Sequence, residues 1–289
     1  AQDVDMGKYW RLGKGNHITV YGFGYSKYEQ NKLDLKQQLD VFVSIKDNIK
    51  INLLKLKNNT NNIKKINLMY VLDLVLDEDE IKSNGNIVLN FDKEENLIYA
   101  RNLYNSGIRN ICYVYSSEKI NSYTGNASSI NYACDKDLDF ENSLGNKPCI
   151  AIKIEAEIKA FEEKEIVFVV GAEDNKEDFK LNYKNIEFCK NEYINTKNYW
   201  STLLEKVRVK TPNDATNIML NGWAMYQTIA SRLYAKSGFN QSGGAFGYRD
   251  QLQDSIGVKF LNIEMVKKQI LKHASHQFIE GDVEHWWHE

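Results

Sequence analysis

The stretch GGAFGYRDQLQD (243–254) sets two glycines beside two aromatic rings, an Arg-Asp pair and a second aspartate. It lacks the GxxxxGK[ST] pattern of a phosphate loop, and it follows a predicted helix, which excludes a GxGxxG dinucleotide fingerprint. Asp250 and Asp254 share one face of a helix, where their repulsion favours a nearby cation or polyhydroxyl ligand. Together with Gln253, these carboxylates provide the hydrogen-bond donors and acceptors that bind sugar hydroxyls. The alternative is that Asp250 caps the next helix and Arg249 forms a surface ion pair.

A second candidate region is QFIEGDVEHWWHE (277–289), where two tryptophans stand among ionisable side chains. A tryptophan platform beside carboxylates and imidazoles is typical of a sugar subsite, which makes Asp282, His285 and Trp286 candidates. The alternative is that one tryptophan packs in a core. The order HxxHE differs from the zinc-binding HExxH, so we expect no metal.

Composition narrows the class of partner. The chain has 289 residues, is 43% hydrophobic and carries a net charge of −2, which gives no electrostatic reason to expect nucleic acid or an anionic membrane. The four cysteines form no CxxC pair and no zinc spacing, so we expect reduced thiols and a cytoplasmic protein. No apolar run approaches the roughly 20 residues that span a bilayer, and no signal peptide begins the chain.

The elements that must position these residues fall into two parts. Residues 1–192 alternate apolar and polar side chains in strands such as KINLMYVLDLVLD (65–77) and CIAIKIEAEIK (149–159). Lys153, Glu155, Glu157 and Lys159 are expected on the solvent face of the second strand. Many strands with few intervening helices predict an antiparallel β-sandwich.

Helical patterns dominate the rest of the chain. Residues 193–210 are predicted to form a helical linker, and 211–289 an all-α domain. Thr211 is the expected N-cap of its first helix, with Pro212 at the first helical position and Asp214 completing a capping box. Apolar stripes recur at helical spacing over 218–233 and 263–278. Two such helices bury no core alone, so we expect a fragment of a longer protein.

The motifs QSGGAFGYRDQLQD (241–254) and QFIEGDVEHWWH (277–288), joined by an amphipathic helix, resemble glycoside hydrolase family 94. These are the inverting disaccharide and oligosaccharide phosphorylases, with the phosphorylase-like part of cyclic β-1,2-glucan synthases. Weaker resemblance covers nearly the whole chain. The first motif resembles the cyclic-glucan-synthase and β-1,2-oligoglucan phosphorylase branch more closely, because Gly243–Gly244 stands where cellobiose phosphorylases usually carry an additional Arg.

The resemblance implies an antiparallel super-β-sandwich, a helical linker and the start of an (α/α)6 barrel. It implies that Asp250, with Arg249 beside it, binds hydroxyls of the sugar whose bond is cleaved, supported by Gln253 and Asp254. Lys236 aligns with the family's phosphate-binding Arg, and Arg232 shares or replaces that role. His285 and Trp286 fall where the family lines its cleft.

The implied activity is inverting phosphorolysis of a β-linked gluco-oligosaccharide, with β-1,2 favoured, to α-glucose 1-phosphate. Phosphate is then a co-substrate, no cofactor is needed, and a homodimer is the family-based expectation. The family's general acid is an aspartate of a Trp-Asn-Asp-type motif, which this chain lacks, so we expect no catalytic residue here and the remainder of the barrel as partner. The alternatives are an inactive carbohydrate-binding fragment, a cellobiose or cellodextrin phosphorylase, and a hydrolase.

Overall fold

The structure, a computed structural model, describes residues 17–76, 83–104, 111–130, 136–142, 147–237 and 244–288. Two units divide the chain, Ala1–Thr196 and Lys197–Glu289. Cys134 and Gly243, which entered the predictions above, lie outside the described residues.

Two antiparallel sheets form the first unit. Their strands are β1 (His17–Gly22), β2 (Tyr25–Lys32), β3 (Leu35–Val43), β4 (Ile49–Asn58), β5 (Lys64–Asp73), β6 (Ile87–Asp92), β7 (Leu97–Asn102), β8 (Ile111–Ser116), β9 (Ser122–Asn126), β10 (Pro148–Ile158) and β11 (Glu163–Glu173). The large sheet has the order β1-β2-β3-β4-β11-β8-β7-β6, and the small sheet the order β5-β10-β9. The predicted antiparallel sandwich is confirmed.

The main core lies between the two sheets. Alternate residues of β10, from Ile150 to Ile158, are buried there, and the predicted apolar face of β5 packs against the same cluster. β10 pairs with β5 in uniform register, from Cys149 opposite Asp73 to Ile158 opposite Lys64. Period-two patterning fixes this register, because a one-residue slip turns every apolar side chain to the wrong face.

The prediction that Lys153 lies on the solvent face of β10 is wrong, because this side chain is buried. Its Nζ lies 2.9 Å from Oδ1 of Asp137 and donates to the carbonyl of Lys136. The segment around Leu138 packs over this end of the small sheet together with Cys149 and Ala151. Alternation alone does not reveal that a connecting segment covers the outer face.

A second core lies on the other face of the large sheet. Helix α1 (Ile186–Leu204) and the turns before it cover this face, where Tyr113, Tyr115 and Tyr183 are fully buried. The helix expected within 193–210 therefore begins earlier, because the apolar side chains from Ile186 onward pack on the sheet. It ends at Leu204, and residues 207–211 are not helical.

The second unit is helical. A helical run comprises α2 (Asp214–Ile218), a π-helical turn (Met219–Trp223), α3 (Ala224–Gln227) and a second π-helical segment (Thr228–Tyr234). Helices α4 (Tyr248–Gly257) and α5 (Ile263–Ala274) follow, with the two-residue strands β12 (Phe246–Gly247) and β13 (Trp286–Trp287).

The N-cap of α2 is Asn213 and not Thr211. The Asn213 side-chain oxygen accepts from the backbone N–H of Thr216 at 2.9 Å, which satisfies one of the open donors of the first turn. Thr211 is held instead by Asn217, whose Oδ1 accepts from the Thr211 N–H at 2.7 Å. The helix therefore begins at Asp214, after Pro212.

The apolar stripes of this unit are only partly buried. Ile229, Leu233 and Val266 lie in the interior, whereas Ile218, Ile263 and Leu271 are more than half exposed. The helices in the described part of this unit do not close a barrel, which agrees with the predicted start of a helical domain. A helix pair buries only the sides that face each other.

Candidate functional site

A short antiparallel ribbon joins the two motifs that the sequence singled out. β12 pairs with β13, with Phe246 opposite Trp287 and Gly247 opposite Trp286. The N–H of Tyr248 also donates to the carbonyl of His285 at 3.2 Å. The Arg249–Asp250 pair and the His285–Trp286 pair therefore lie at one place in the fold.

Helix α4 presents the Arg-Asp pair at its first turn. Its N-cap is Gly247, so the alternative that Asp250 caps this helix is excluded. A Cβ on Gly247 would lie 3.1 Å from Oδ2 of Asp250, so glycine lets the carboxylate approach the helix start, where the helix dipole favours negative charge. Both Arg249 and Asp250 are exposed, and Gln253 Oε1 accepts from Arg249 Nη2 at 3.1 Å.

Gln251 holds the backbone that precedes this turn, a role that the sequence did not indicate. Its side chain is buried. Oε1 accepts from the N–H of Gly247 at 2.8 Å, and Nε2 donates to the carbonyl of Ala245 at 3.2 Å. Gln251 therefore fixes the end of the ribbon that precedes the helical turn of Asp250. Gln251 is buried and Gln253 is exposed because they lie on different faces of α4, and the motif alone does not reveal this difference.

Asp254 makes a different contact from Asp250. Its Oδ2 accepts from Arg232 Nε at 2.6 Å. Arg232, in the second π-helical segment, also donates to the carbonyl of Ser237. The ion pair ties α4 to the preceding helical run, so the two aspartates that share a face of α4 divide into one exposed and one paired group.

The two tryptophans also divide. Trp287 is buried, stacked on Phe246 at 5.3 Å between ring centroids and on His276 at 4.0 Å. His276 Nδ1 in turn lies 2.7 Å from Glu284 Oε2. Trp286 is about half exposed. One tryptophan thus packs in the interior, as the alternative foresaw, and the exposed one is Trp286, the predicted site residue.

Two lysines converge on the ring of Phe246. The Nζ of Lys236 lies 4.3 Å and that of Lys272 lies 4.0 Å from the ring centroid. Partial burial, together with repulsion from Lys236, lowers the pKa of the Lys272 ammonium. Lys272 belongs to the last turn of α5 and was not among the predicted site residues, because basic residues are common at helix C-termini.

Asp282 stands apart from these contacts. Its carbonyl accepts from the N–H of Phe278 at 2.8 Å, inside a tight loop that contains Gly281 at φ +97°, and its side chain is exposed. Within the described ranges no three His, Cys, Asp or Glu side chains come together to hold a metal ion. In the same part of the chain no helix is long and apolar enough to cross a membrane.

The fold and site define a class of protein: an antiparallel supersandwich followed by a helical unit that carries an exposed Arg-Asp pair beside a tryptophan. The model of the glycosyl hydrolase 94 supersandwich domain matches residues 3–186, and that of the glycosyl hydrolase 94 superfamily catalytic domain matches residues 199–289. The chain belongs to the glycosyl hydrolase 94 family.

Two curated relatives match almost all of the chain. Cyclic beta-(1,2)-glucan synthase NdvB of Rhizobium meliloti (strain 1021) is 27% identical over 285 residues, which is 93% of this chain and 10% of that protein. N,N'-diacetylchitobiose phosphorylase of Vibrio proteolyticus is 22% identical over 305 residues, which is 93% of this chain and 37% of that protein. The chain thus spans about a tenth and about a third of the length of these relatives.

Proposed function

We propose that this chain is the N-terminal portion of an inverting glycoside phosphorylase that cleaves a β-linked gluco-oligosaccharide with phosphate to give α-glucose 1-phosphate. The observation that carries the proposal is the ribbon that sets Arg249 and Asp250 beside His285 and Trp286. Asp250 accepts hydrogen bonds from sugar hydroxyls, Arg249 donates to them, and Trp286 offers an apolar face to the sugar ring.

The proposed reaction needs one acid and no base, because phosphate is already an anionic nucleophile, unlike the water of an inverting hydrolase. The general acid comes from another stretch of the complete enzyme, and cations hold phosphate in line behind the anomeric carbon. Lys236 is the cation proposed here, because Arg232 is already oriented by Asp254. Similarity to a β-1,2-glucan synthase and to a phosphorylase supports the β-1,2 linkage and phosphate.

The other site residues, the domain boundaries, the oligomeric state and the location are also proposals. Gln253, Asp254, Asp282 and His285 are proposed to support the sugar subsite, and the domain boundaries at 192 and 210 are proposed from the sequence. We further propose a homodimer and a cytoplasmic location. The second of these rests on the unpaired thiols of Cys112, Cys149 and Cys189.

The test is formation of glucose 1-phosphate. This chain, and a longer one carrying the Trp-Asn-Asp-type motif, are incubated with phosphate and either β-1,2- or β-1,4-linked oligoglucosides, and the anomer formed is read by NMR. We expect α-glucose 1-phosphate from the longer chain with the β-1,2 substrate. Phosphate-independent release of glucose would instead indicate a hydrolase, and sugar binding without any product would indicate a binding module.

A further inference from the structure

Two ammonium groups from separate elements meet over one aromatic ring. Lys236 follows the second π-helical segment and Lys272 ends α5, yet both Nζ atoms lie close to the centroid of Phe246, at 4.3 and 4.0 Å. The two nitrogens are therefore no farther apart than the sum of these distances. Like charges at such a separation repel when they are partly removed from water.

Both lysines are held at a cost in free energy. The backbone of Lys236 is in the left-handed region, at φ +50°, directly after the C-cap residue Ala235, a position at which glycine is usual. Desolvation and the charge of Lys236 both lower the pKa of Lys272. Unfavourable conformations and charges of this kind cluster where a ligand is bound.

Arg232, a further basic residue of this region, holds the chain next to Lys236. Arg232 donates to Asp254 at 2.6 Å and to the carbonyl of Ser237, which is the residue after Lys236. Arg232 thus orients the backbone that carries Lys236. Trp287, stacked on Phe246, fixes the ring that both ammonium groups contact. The cluster is consequently built from three elements that hold one another in place.

We propose that Lys272 is a second phosphate-binding residue, which forms with Lys236 a two-ammonium clamp on inorganic phosphate above the Phe246 ring. The proposal rests on the proposed function for the identity of the anion. A phosphate dianion accepts hydrogen bonds on several oxygens, so each ammonium donates to a different one while the mutual repulsion of the lysines is relieved. Neither motif of the sequence contains Lys272, so motif comparison does not indicate it.

The experiment measures binding of inorganic phosphate to the 289-residue chain by isothermal titration, at an ionic strength held constant with chloride. The variants are Lys236→Gln, Lys272→Gln and, as the matched control, Lys268→Gln, an exposed lysine of the same helix. We expect each clamp variant to weaken binding about 10- to 100-fold, as for loss of a hydrogen bond to a charged group. The control should stay within about twofold, because exposed charges are screened.

Two further variants separate binding from folding. Lys272→Arg keeps the charge and should retain most of the affinity. Lys236→Gly removes the ammonium but relieves the left-handed backbone, so it should lose phosphate while its Tm is unchanged or higher. Both are followed by thermal unfolding.

Several outcomes would overturn the clamp: a wild-type chain that binds phosphate no better than chloride, a Lys272→Gln variant with normal affinity, or a control that weakens as much as the clamp variants. The proposed function fails separately. If both lysines govern phosphate binding but a longer chain forms no glucose 1-phosphate, the clamp stands and the phosphorylase assignment is wrong. If the longer chain is active and Lys272→Gln leaves its KM for phosphate unchanged, the reverse holds.

Discussion

Asp250 and Asp254 have different roles although both lie on α4. Asp250 is exposed at the first turn, whereas Asp254 pairs with Arg232. We predict that Asp250→Asn abolishes turnover in the complete enzyme and leaves Tm within about 2 °C, because surface substitutions away from buried networks change stability little. Turnover is measured as glucose 1-phosphate formation. Normal turnover in this variant would remove Asp250 from the sugar subsite.

Asp254→Asn tests the ion pair between Asp254 and Arg232. Both partners are less than a third exposed, so loss of the charge should cost about 1–2 kcal/mol of stability in the second unit. Equilibrium unfolding in urea measures this cost. If neither Asp254→Asn nor Arg232→Gln changes the free energy of unfolding, the ion pair does not hold α4 to the preceding helical run.

Gln251 is the residue on which the site geometry most depends. Gln251→Leu leaves the Gly247 N–H and the Ala245 carbonyl without their partner in a buried place, so we predict a loss of about 2–4 kcal/mol. Urea unfolding checks the value, and Gln253→Ala is the matched control, since that side chain is exposed and should cost less than about 0.5 kcal/mol. Equal effects in the two variants would contradict the assigned role.

Among the elements, a polar network attaches α1 and the turn before it to the connection between β3 and β4. Glu192 is almost fully buried, and its Oε2 accepts from Ser44 Oγ at 3.1 Å. The Tyr183 hydroxyl lies 2.7 Å from Asp47 Oδ2. Such a network specifies one arrangement of helix on sheet only if every member is satisfied.

The matching prediction is that Tyr183→Phe lowers the stability of the first unit by about 1–3 kcal/mol, because the buried Ser44 and the partly buried Asp47 carboxylate lose a hydrogen-bond partner. Denaturant unfolding, followed by tyrosine fluorescence or circular dichroism, measures the change. Tyr104→Phe, at a ring that is 84% exposed, should leave stability unchanged and serves as the control. Identical curves for all three proteins would show that the network does not hold α1.

Local patterning predicted the strands well and the helix ends poorly. Period-two alternation in β5 and β10 identified which residues face the main core, because one face of each strand packs against it. Alternation failed at Lys153, because a connecting segment covers that side chain. The N-cap prediction failed at Thr211, because the side chain of Asn213 makes the capping hydrogen bond instead. Helix ends depend on which of several adjacent side chains makes the hydrogen bond, and the sequence leaves that choice open.

For the whole molecule, the predicted sandwich and helical unit could be read from the sequence, but the site could be read only as a list of residues. Pairing of β12 with β13 is a contact between segments far apart in the chain, and two-residue strands carry no periodicity. Lys272 was missed for a related reason. Its importance comes from the convergence of α5 on Phe246, a tertiary contact that its own helix does not encode.

The sandwich as a whole should lose stability at high pH. Burial raises the pKa of the Cys112, Cys149 and Cys189 thiols from the ordinary 9.0 to about 12, and that of the Tyr70 hydroxyl from 10.0 to about 12. Because these groups stay protonated in the folded state and ionise in the unfolded state, their contribution is complete below pH 9 and is lost as the pH rises toward 12.

We therefore predict that the urea midpoint of the first unit is flat between pH 7 and about 8.5 and falls steadily above it, since each unfolded thiol that ionises favours unfolding. In the same way, the three thiols should react with iodoacetamide at pH 8 far more slowly in the native chain than in urea, because the thiolate is the nucleophile. Mass spectrometry of the cysteine peptides assigns the sites. Rapid native labelling of Cys112, or a midpoint unchanged up to pH 11, would show that burial does not hold these groups in their neutral forms.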